Sequence, residues 1–208
     1  TRPHAERTTK TLDADGLEDV IVCDGVTQRI GWIRQSPRGV FTETAVGDPV
    51  PGPAHVSVCD FTGDGRLDLL VASMGTILPS NDRIGRVVVM ENLGDGTFRT
   101  RVLGENLARV TDVRGADVNG DGRMDLIVGQ FGYLEGEIQW MENLGDWQFR
   151  WHRLLNQPGT ITVPPADFDR DGRMVEGHTH DDIGRLAPDA GQPLQGLEIV
   201  RHLAAEFR

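Results

Sequence analysis

The stretch D-F-T-G-D-G-R-L-D at residues 60–68 occurs four times in this 208-residue chain with small changes. The other copies are T-L-D-A-D-G-L-E-D at residues 11–19, D-V-N-G-D-G-R-M-D at residues 117–125 and D-F-D-R-D-G-R-M-V at residues 167–175. The copies recur about every fifty residues, a spacing typical of the blades of a β-propeller. The chain is therefore predicted to consist of repeats that each carry one Asp-rich loop.

A second segment recurs between these loops and aligns without a gap. It is I-G-W-I-R-Q-S-P-R-G-V-F at residues 30–41, V-V-V-M-E-N-L-G-D-G-T-F at residues 87–98 and I-Q-W-M-E-N-L-G-D-W-Q-F at residues 138–149. Short apolar runs separated by Gly, Asp and Asn are typical of strands. Each repeat is therefore predicted to hold four strands, two flanking the Asp loop and two flanking the turn of the second segment.

These repeats predict an all-β fold, a β-propeller of four-stranded blades with about three complete blades and a partial fourth. The repeat region is expected over residues 1–174, followed by a non-repeat tail at residues 175–208. The blades are expected at about residues 11–50, 51–107, 108–158 and, for the partial blade, 159–174. Because an open ring leaves strand edges unpaired, we expect a fragment of a larger propeller. Self-association through the open blade edges and a compact four-bladed ring are the alternatives.

The tail differs in pattern from the repeats. Its apolar residues fall near helical spacing, which favours an amphipathic C-terminal helix over residues 193–208. These residues are Leu194, Leu197, Val200, Leu203 and Phe207. A disordered tail is the alternative.

Charge and composition exclude several classes of protein. The chain carries 21 Lys and Arg against 32 Asp and Glu, a formal net charge of −11. Affinity for nucleic acid depends mainly on clustered Lys and Arg, so a nucleic-acid partner is excluded. No stretch approaches the roughly 20 apolar residues that span a bilayer, so no membrane span is predicted. Cys23 and Cys59 end apolar runs and are interpreted as buried thiols.

The Asp loops predict calcium sites. Oxygen side chains at positions 1, 3, 5 and 9 converge only if the chain turns sharply at position 6, where every copy has Gly. Several carboxylates with no nitrogen or sulfur ligand suit Ca²⁺ better than Mg²⁺. An EF-hand needs Glu at position 12, where Val71 and Val128 stand, so the predicted site is a strand-loop-strand site. A metal-free Asx turn is the alternative, because Asp, Asn and Gly are ordinary turn formers.

The loop D-x-D-x-D-G-x-x-D, the segment E-N-L-G-D-G-x-F and Phe131-Gly132 after the third loop resemble the FG-GAP/VCBS repeat family. Integrin α-subunit propellers belong to the same group. The resemblance covers about residues 11–174. It implies a loop between the first two strands of a blade that binds Ca²⁺ through positions 1, 3, 5 and 9 and the backbone carbonyl of position 7.

Carried over residue by residue, the resemblance implies two complete Ca²⁺ sites and up to four in all. The complete sites consist of Asp60, Thr62, Asp64, the Arg66 carbonyl and Asp68, and of Asp117, Asn119, Asp121, the Arg123 carbonyl and Asp125. The incomplete sites retain Asp13, Asp15 and Asp19 in the first loop, and Asp167, Asp169 and Asp171 in the fourth. Thr11 and Val175 stand where the family carries Asp, so weaker binding is expected there.

The resemblance implies a non-catalytic calcium-binding module for adhesion or for recognition of a protein or carbohydrate, with structural Ca²⁺. It also implies a location that is extracellular, periplasmic or at the cell surface. The alternative is a Ca²⁺-dependent propeller enzyme, a hydrolase, lactonase or lyase. The sequence contains no nucleophile elbow and no phosphate-binding Gly loop, which favours the non-catalytic interpretation.

Histidines and tryptophans are the remaining candidates for chemistry. His55, His152 and His202 are interpreted as isolated residues on strands or surfaces. Trp32 and Trp140 share one repeat position and are predicted to lie in the core between blades. Trp147 and Trp151 lie on one side of a predicted strand, where they would stack on a ligand if exposed.

Overall fold

The computed structural model describes residues 11–166 and 175–176, and every regular element within them is a β-strand. The strands are β1 (Val20–Asp24), β2 (Arg29–Gln35), β3 (Phe41–Val46), β4 (Pro53–Cys59), β5 (Asp68–Ser73), β6 (Gly85–Asn92), β7 (Phe98–Leu107), β8 (Arg109–Ala116), β9 (Asp125–Phe131), β10 (Ile138–Gly145), β11 (Gln148–Leu155), β12 (Pro165–Ala166) and β13 (Val175–Glu176). This confirms the all-β prediction. The described residues include no helix with the length and apolar character needed to cross a membrane. The expected helix over residues 193–208 and the loop-four residues Asp167, Asp169 and Asp171 lie outside them.

Successive repeats form successive antiparallel sheets, as expected of propeller blades. The second blade (β4–β7) and the third blade (β8–β11) each have four strands, and neighbours in sequence are neighbours in the sheet. The first blade consists of β1–β3. Within the described residues this blade has one strand fewer than the four predicted. The short pair β12–β13 joins Ala166 to Val175 on either side of the fourth Asp loop.

The strands that follow the second and third Asp loops are buried on both faces. All residues of β5 are buried, as are all but the last residue of β9. A strand covered on both sides cannot alternate polar and apolar residues, which explains the continuous runs Leu69-Leu-Val-Ala72 and Leu126-Ile-Val128. These strands lie in the middle of each blade.

Two apolar cores join the three blades. Between the first and second blades, Trp32 packs near Leu69 and Met90. Between the second and third blades, Leu70 packs near Met141. Leu69 and Leu70 thus place one strand in both cores, so the second blade is stabilised from its two faces. Trp32 and Trp140 are both buried, as predicted.

Replacing Leu70 with Ala is expected to lower the free energy of unfolding by about 2–5 kcal/mol, the usual cost of truncating a buried Leu. Leu70 is 0% exposed, between the second and third blades. The control is Leu144→Ala, because Leu144 is 41% exposed and its change is expected within about 0.5 kcal/mol. Urea unfolding followed by tryptophan fluorescence measures both variants. Equal effects would contradict the core between these blades.

The Asp loops and the cleft beside them

The first Asp of the second and third loops closes the turn. Asp60 Oδ1 accepts hydrogen bonds from the amides of Gly63 at 2.8 Å and Asp64 at 3.1 Å, and Oδ2 accepts one from Gly65 at 2.9 Å. Gly65 has φ of 84°, the left-handed conformation that the sharp turn requires. Asp117 holds the third loop in the same way, through the amides of Gly120 at 2.8 Å, Asp121 at 3.1 Å and Gly122 at 2.9 Å.

The Asp at position nine joins its loop to the third strand of the blade. Asp68 is fully buried. Its Oδ2 accepts hydrogen bonds from the Phe61 and Thr62 amides, both at 3.0 Å. Its Oδ1 accepts one from the Asn92 amide at 2.8 Å. Asn92 ends β6, so a single carboxylate fixes the loop to a strand that lies far away in the sequence.

The other two described blades repeat this arrangement, which we call the Asp clamp (Asp19, Asp68 and Asp125 with the amides that they accept). Asp125 accepts hydrogen bonds from Val118 N at 3.2 Å and Asn143 N at 2.7 Å. Asp19 accepts them from Leu12 N at 3.0 Å and Gln35 N at 2.9 Å. The position-nine residue therefore has a structural role in all three loops.

Burial raises the pKa of Asp68 and of Asp125 above the usual range of an Asp, although the amides that each accepts lower it. The charge of Asp121 raises the pKa of Asp125 further. A raised pKa means that the ionised carboxylate is less stable in the folded loop than in water. A cation near these loops would therefore be stabilising.

The cation nearest the mouth of each complete loop is an arginine of the loop itself. The Arg66 guanidinium pairs with Asp64 and donates from Nε to the Asn92 carbonyl at 2.8 Å. Arg123 pairs with Asp121 and donates from Nε to the Asn143 carbonyl at 2.7 Å. In the first loop, Arg34 Nε lies 2.5 Å from Asp13 Oδ2. The sequence predicted a role only for the backbone carbonyls of Arg66 and Arg123, and these side-chain ion pairs were not predicted.

The structure brings the candidate ligands of the first three loops to one end of each blade, where several of their side chains already have hydrogen-bond partners. At position three of the third loop, Asn119 Nδ2 donates to Asp121 Oδ2 at 3.0 Å. At position three of the second loop, the Thr62 hydroxyl lies beside Asp68. In the first loop, Asp13 accepts the Asp15 amide at 3.2 Å. In residues 11–166, no three His, Cys, Asp or Glu side chains are arranged to hold a metal ion. The candidate ligands are all oxygen atoms, which suit a hard cation. Asp64 and Asp121 would first have to separate from Arg66 and Arg123.

A polar cluster between the second and third blades was not foreseen from the sequence. His55 Nδ1 lies 2.9 Å from Oδ1 of the buried Asp112. Asp112 Oδ2 accepts hydrogen bonds from Arg114 Nε at 3.0 Å, Thr162 Oγ1 at 2.8 Å and Val163 N at 2.9 Å. The interpretation of His55 as isolated is therefore wrong. The signal available in the sequence was the pair of charged residues Asp112 and Arg114 within β8.

His152 is also not isolated. Its Nε2 lies 2.8 Å from Glu142 Oε2, and its ring stacks on Trp140 with 4.4 Å between centroids. β10 and β11 are adjacent in the sheet and pair Trp140 directly with His152. The contact therefore supports the third blade itself.

A cleft of about 370 Å³ opens between the second Asp loop and the last hairpin of the third blade. Phe61, Trp147 and Phe149 form its apolar part, and Asp60, Arg123 and Asp146 line its polar part. Trp151 is separate from this cleft. A side chain at Gly104 would come within 2.7 Å of the Trp151 ring, so Trp151 packs on β7.

The sheets, the repeated loops and the Asp clamps define a β-propeller repeat protein. The FG-GAP-like repeat matches residues 12–71, 76–128 and 117–174, which together cover most of the chain. The chain belongs to the FG-GAP-like repeat family, as the sequence resemblance indicated. Such repeats are typical of extracellular or surface proteins. A search of curated proteins found no match.

Replacing Asp125 with Asn is expected to lower the free energy of unfolding by about 1–3 kcal/mol, because one buried amide loses its acceptor. The Asp125 carboxylate accepts these two amides, Val118 N and Asn143 N, through separate oxygens. An Asn side chain has only one oxygen, and its NH₂ group donates rather than accepts. Asp146→Asn, in an exposed turn, is the control and is expected within about 0.5 kcal/mol. Urea unfolding in EDTA measures both. An unchanged free energy for Asp125→Asn would contradict the clamp.

The stability that Asp112 provides is expected to depend on pH. Burial alone would raise its pKa, but the four groups around the carboxylate outweigh that effect and hold the pKa below its usual range. Because the unfolded pKa is about 3.9, the contribution is fully present above that pH and is lost as the pH falls through the folded pKa.

The measurement compares urea unfolding of the wild type and Asp112→Asn from neutral to acidic pH. The difference in free energy is expected to be largest near neutral pH and to shrink below about pH 4. A difference that does not change with pH would contradict the role of the Asp112 charge.

Proposed function

We propose that this chain is a calcium-stabilised, non-catalytic recognition module that works outside the cytoplasm, in the extracellular space, the periplasm or at the cell surface. The observation that carries the proposal is the repetition of one loop geometry in two blades, with Asp60 and Asp117 closing equivalent turns. Membership of the FG-GAP-like repeat family supports the same function. The partner is a protein or a carbohydrate, since the net charge of −11 disfavours nucleic acid.

The charge of the loops supports a divalent cation. Each complete loop contains three carboxylates and one guanidinium, which leaves two negative charges near buried groups. Ca²⁺ accepts six to eight oxygen ligands in flexible geometry. The residues that would hold it are those at positions one, three, five, seven and nine of the second and third loops, with weaker sites in the first and fourth. On binding Ca²⁺, Asp64 would separate from Arg66 and Asp121 from Arg123, and both carboxylates would coordinate the ion instead.

Thermal unfolding in EDTA, in millimolar Ca²⁺ and in millimolar Mg²⁺ tests the calcium proposal. Ca²⁺ is expected to raise Tm by about 5 °C, the effect of about 2 kcal/mol on a domain of this size. Mg²⁺ is expected to do much less, because it demands a stricter octahedron.

The double variant Asp64→Asn/Asp121→Asn is expected to lose most of the rise in Tm. Asp95→Asn, in the β6–β7 turn, serves as the matched control and is expected to keep it. A wild-type Tm that is the same in EDTA and Ca²⁺ would refute the calcium proposal.

A Ca²⁺-dependent propeller enzyme is the second candidate function, and the His55–Asp112 pair is the observation that favours it. An imidazole oriented by a carboxylate is a common general base. We rank it second because Arg114 Nη2 lies 3.4 Å from His55 Nε2, the nitrogen that would accept a proton from a substrate. Hydrolysis of esters or lactones that disappears in His55→Gln would favour the enzyme over the recognition module.

A further inference from the structure

The turn between β10 and β11 has a bulky residue where its counterpart in the second blade has Gly. The second blade uses Gly96, whose φ is 82°. In the third blade the same position is Trp147, with φ of 59°, and Asp146 before it has φ of 51°. A left-handed backbone is costly for a bulky residue, by about 1–3 kcal/mol. The turn therefore does not require Trp147, and its own geometry favours Gly.

Trp147 packs against the core between the second and third blades, but that core does not depend on Trp147 alone. Phe149 already stacks on Phe61, with 6.3 Å between ring centroids. Its counterpart Phe98 packs in the core between the first two blades, where the neighbouring turn carries only Gly96. Trp147 is thus an addition to a contact that the repeat makes without it.

The indole of Trp147 is held firmly in the wall of the cleft. Its ring centroid lies 5.9 Å from that of Phe61. The Arg101 guanidinium lies 4.1 Å from the same ring, and Arg101 in turn donates to Glu91 Oε2 at 3.0 Å. Strained residues that their surroundings hold in place often occur at binding sites. The preorganised ring and the cleft in front of it together indicate a ligand.

We propose that the cleft binds a single neutral sugar ring of a glycan, with Trp147 as its aromatic wall. This inference rests on the proposed recognition function and names its ligand class. A sugar ring combines an apolar C–H face with hydroxyl groups around its edge. The cleft combines an aromatic side at Phe61 and Trp147 with a polar side at Asp60 and Asp146. Its volume, about 370 Å³, lies in the usual range for small-molecule sites.

Other occupants use this cleft less well. A purely apolar side chain of a protein partner would remove the exposed Asp146 carboxylate from water without a partner, which is costly. An inorganic ion would leave the aromatic wall without contacts.

The bonds already made around the cleft favour a neutral sugar over a charged one. Asp60 accepts three loop amides, and Arg123 donates from Nε to the Asn143 carbonyl. The exposed Asp146 carboxylate is suited to accept hydroxyl groups.

The experiment titrates methyl glycosides of glucose, galactose, mannose and N-acetylglucosamine, one at a time in Ca²⁺, and follows the indole resonances by NMR. At least one glycoside is expected to shift the Trp147 signal saturably at millimolar concentration. In Trp147→Gly, binding followed through the backbone amides of the cleft is expected to be at least about tenfold weaker. The Tm of Trp147→Gly is expected to fall much less than that of Leu70→Ala, because relief of the left-handed backbone strain offsets the lost contacts with Phe61 and Arg101.

Trp151→Phe is the matched control and is expected to bind as the wild type does. Two results would overturn the proposal: no saturable binding of any glycoside, or a Tm of Trp147→Gly as low as that of Leu70→Ala, which would make Trp147 a packing residue. A module that responds to Ca²⁺ but binds no sugar contradicts this inference alone. A module that binds sugar through Trp147 without any Ca²⁺ response contradicts only the calcium proposal.

Discussion

The structure depends on the carboxylate at position nine of the first three Asp loops, which is fully buried in the second and third. In the second blade, Asp68 begins β5 and accepts amides from the residues after β4 and from the end of β6. One side chain therefore sets the relative positions of three strands. Burying a charge is costly unless hydrogen bonds compensate it, and backbone amides are strong partners for a carboxylate. The same solution appears in each described blade because each has the same junction between loop and strand.

The clamp shapes each blade, and the neighbouring blades stabilise it. The middle strands β5 and β9 have no polar face to expose, so a single sheet would leave apolar surface in water. Stacked repeats solve this problem by burying each sheet between its neighbours. Polar contacts between blades, such as His55 with Asp112, are placed within this stack. The cleft lies where the second Asp loop meets the hairpin of the third blade, so it exists only when both blades are in place.

The sequence predicted the blades well because the information is local and repeated. The period, the Gly at position six and the apolar runs predicted a strand directly after the second Asp loop, and β5 begins there at Asp68. The strands of a blade are also consecutive in the chain, so their order required no long-range information.

The candidate site was less predictable. The Asp residues indicated where the loops lie, but the pairing of Arg66 with Asp64 depends on side-chain conformation, which spacing does not encode. His55 and Asp112 belong to different blades and share no sequence motif, so the charged residues in β8 did not identify His55 as their partner. The sequence grouped Trp147 with Trp151 as candidates for stacking, and the fold places only Trp147 in the cleft.

The central claim is that the Asp clamps hold each blade together whether or not a metal is bound. Hydrogen exchange at the amides of Asn92 and Asn143 tests it most directly, since each donates to a clamp carboxylate. The account predicts that both amides exchange only through global unfolding, as slowly as the amides of β5 and β9, in Ca²⁺ and in chelator alike. Rapid exchange of these two amides in chelator, with β5 and β9 still protected, would contradict it.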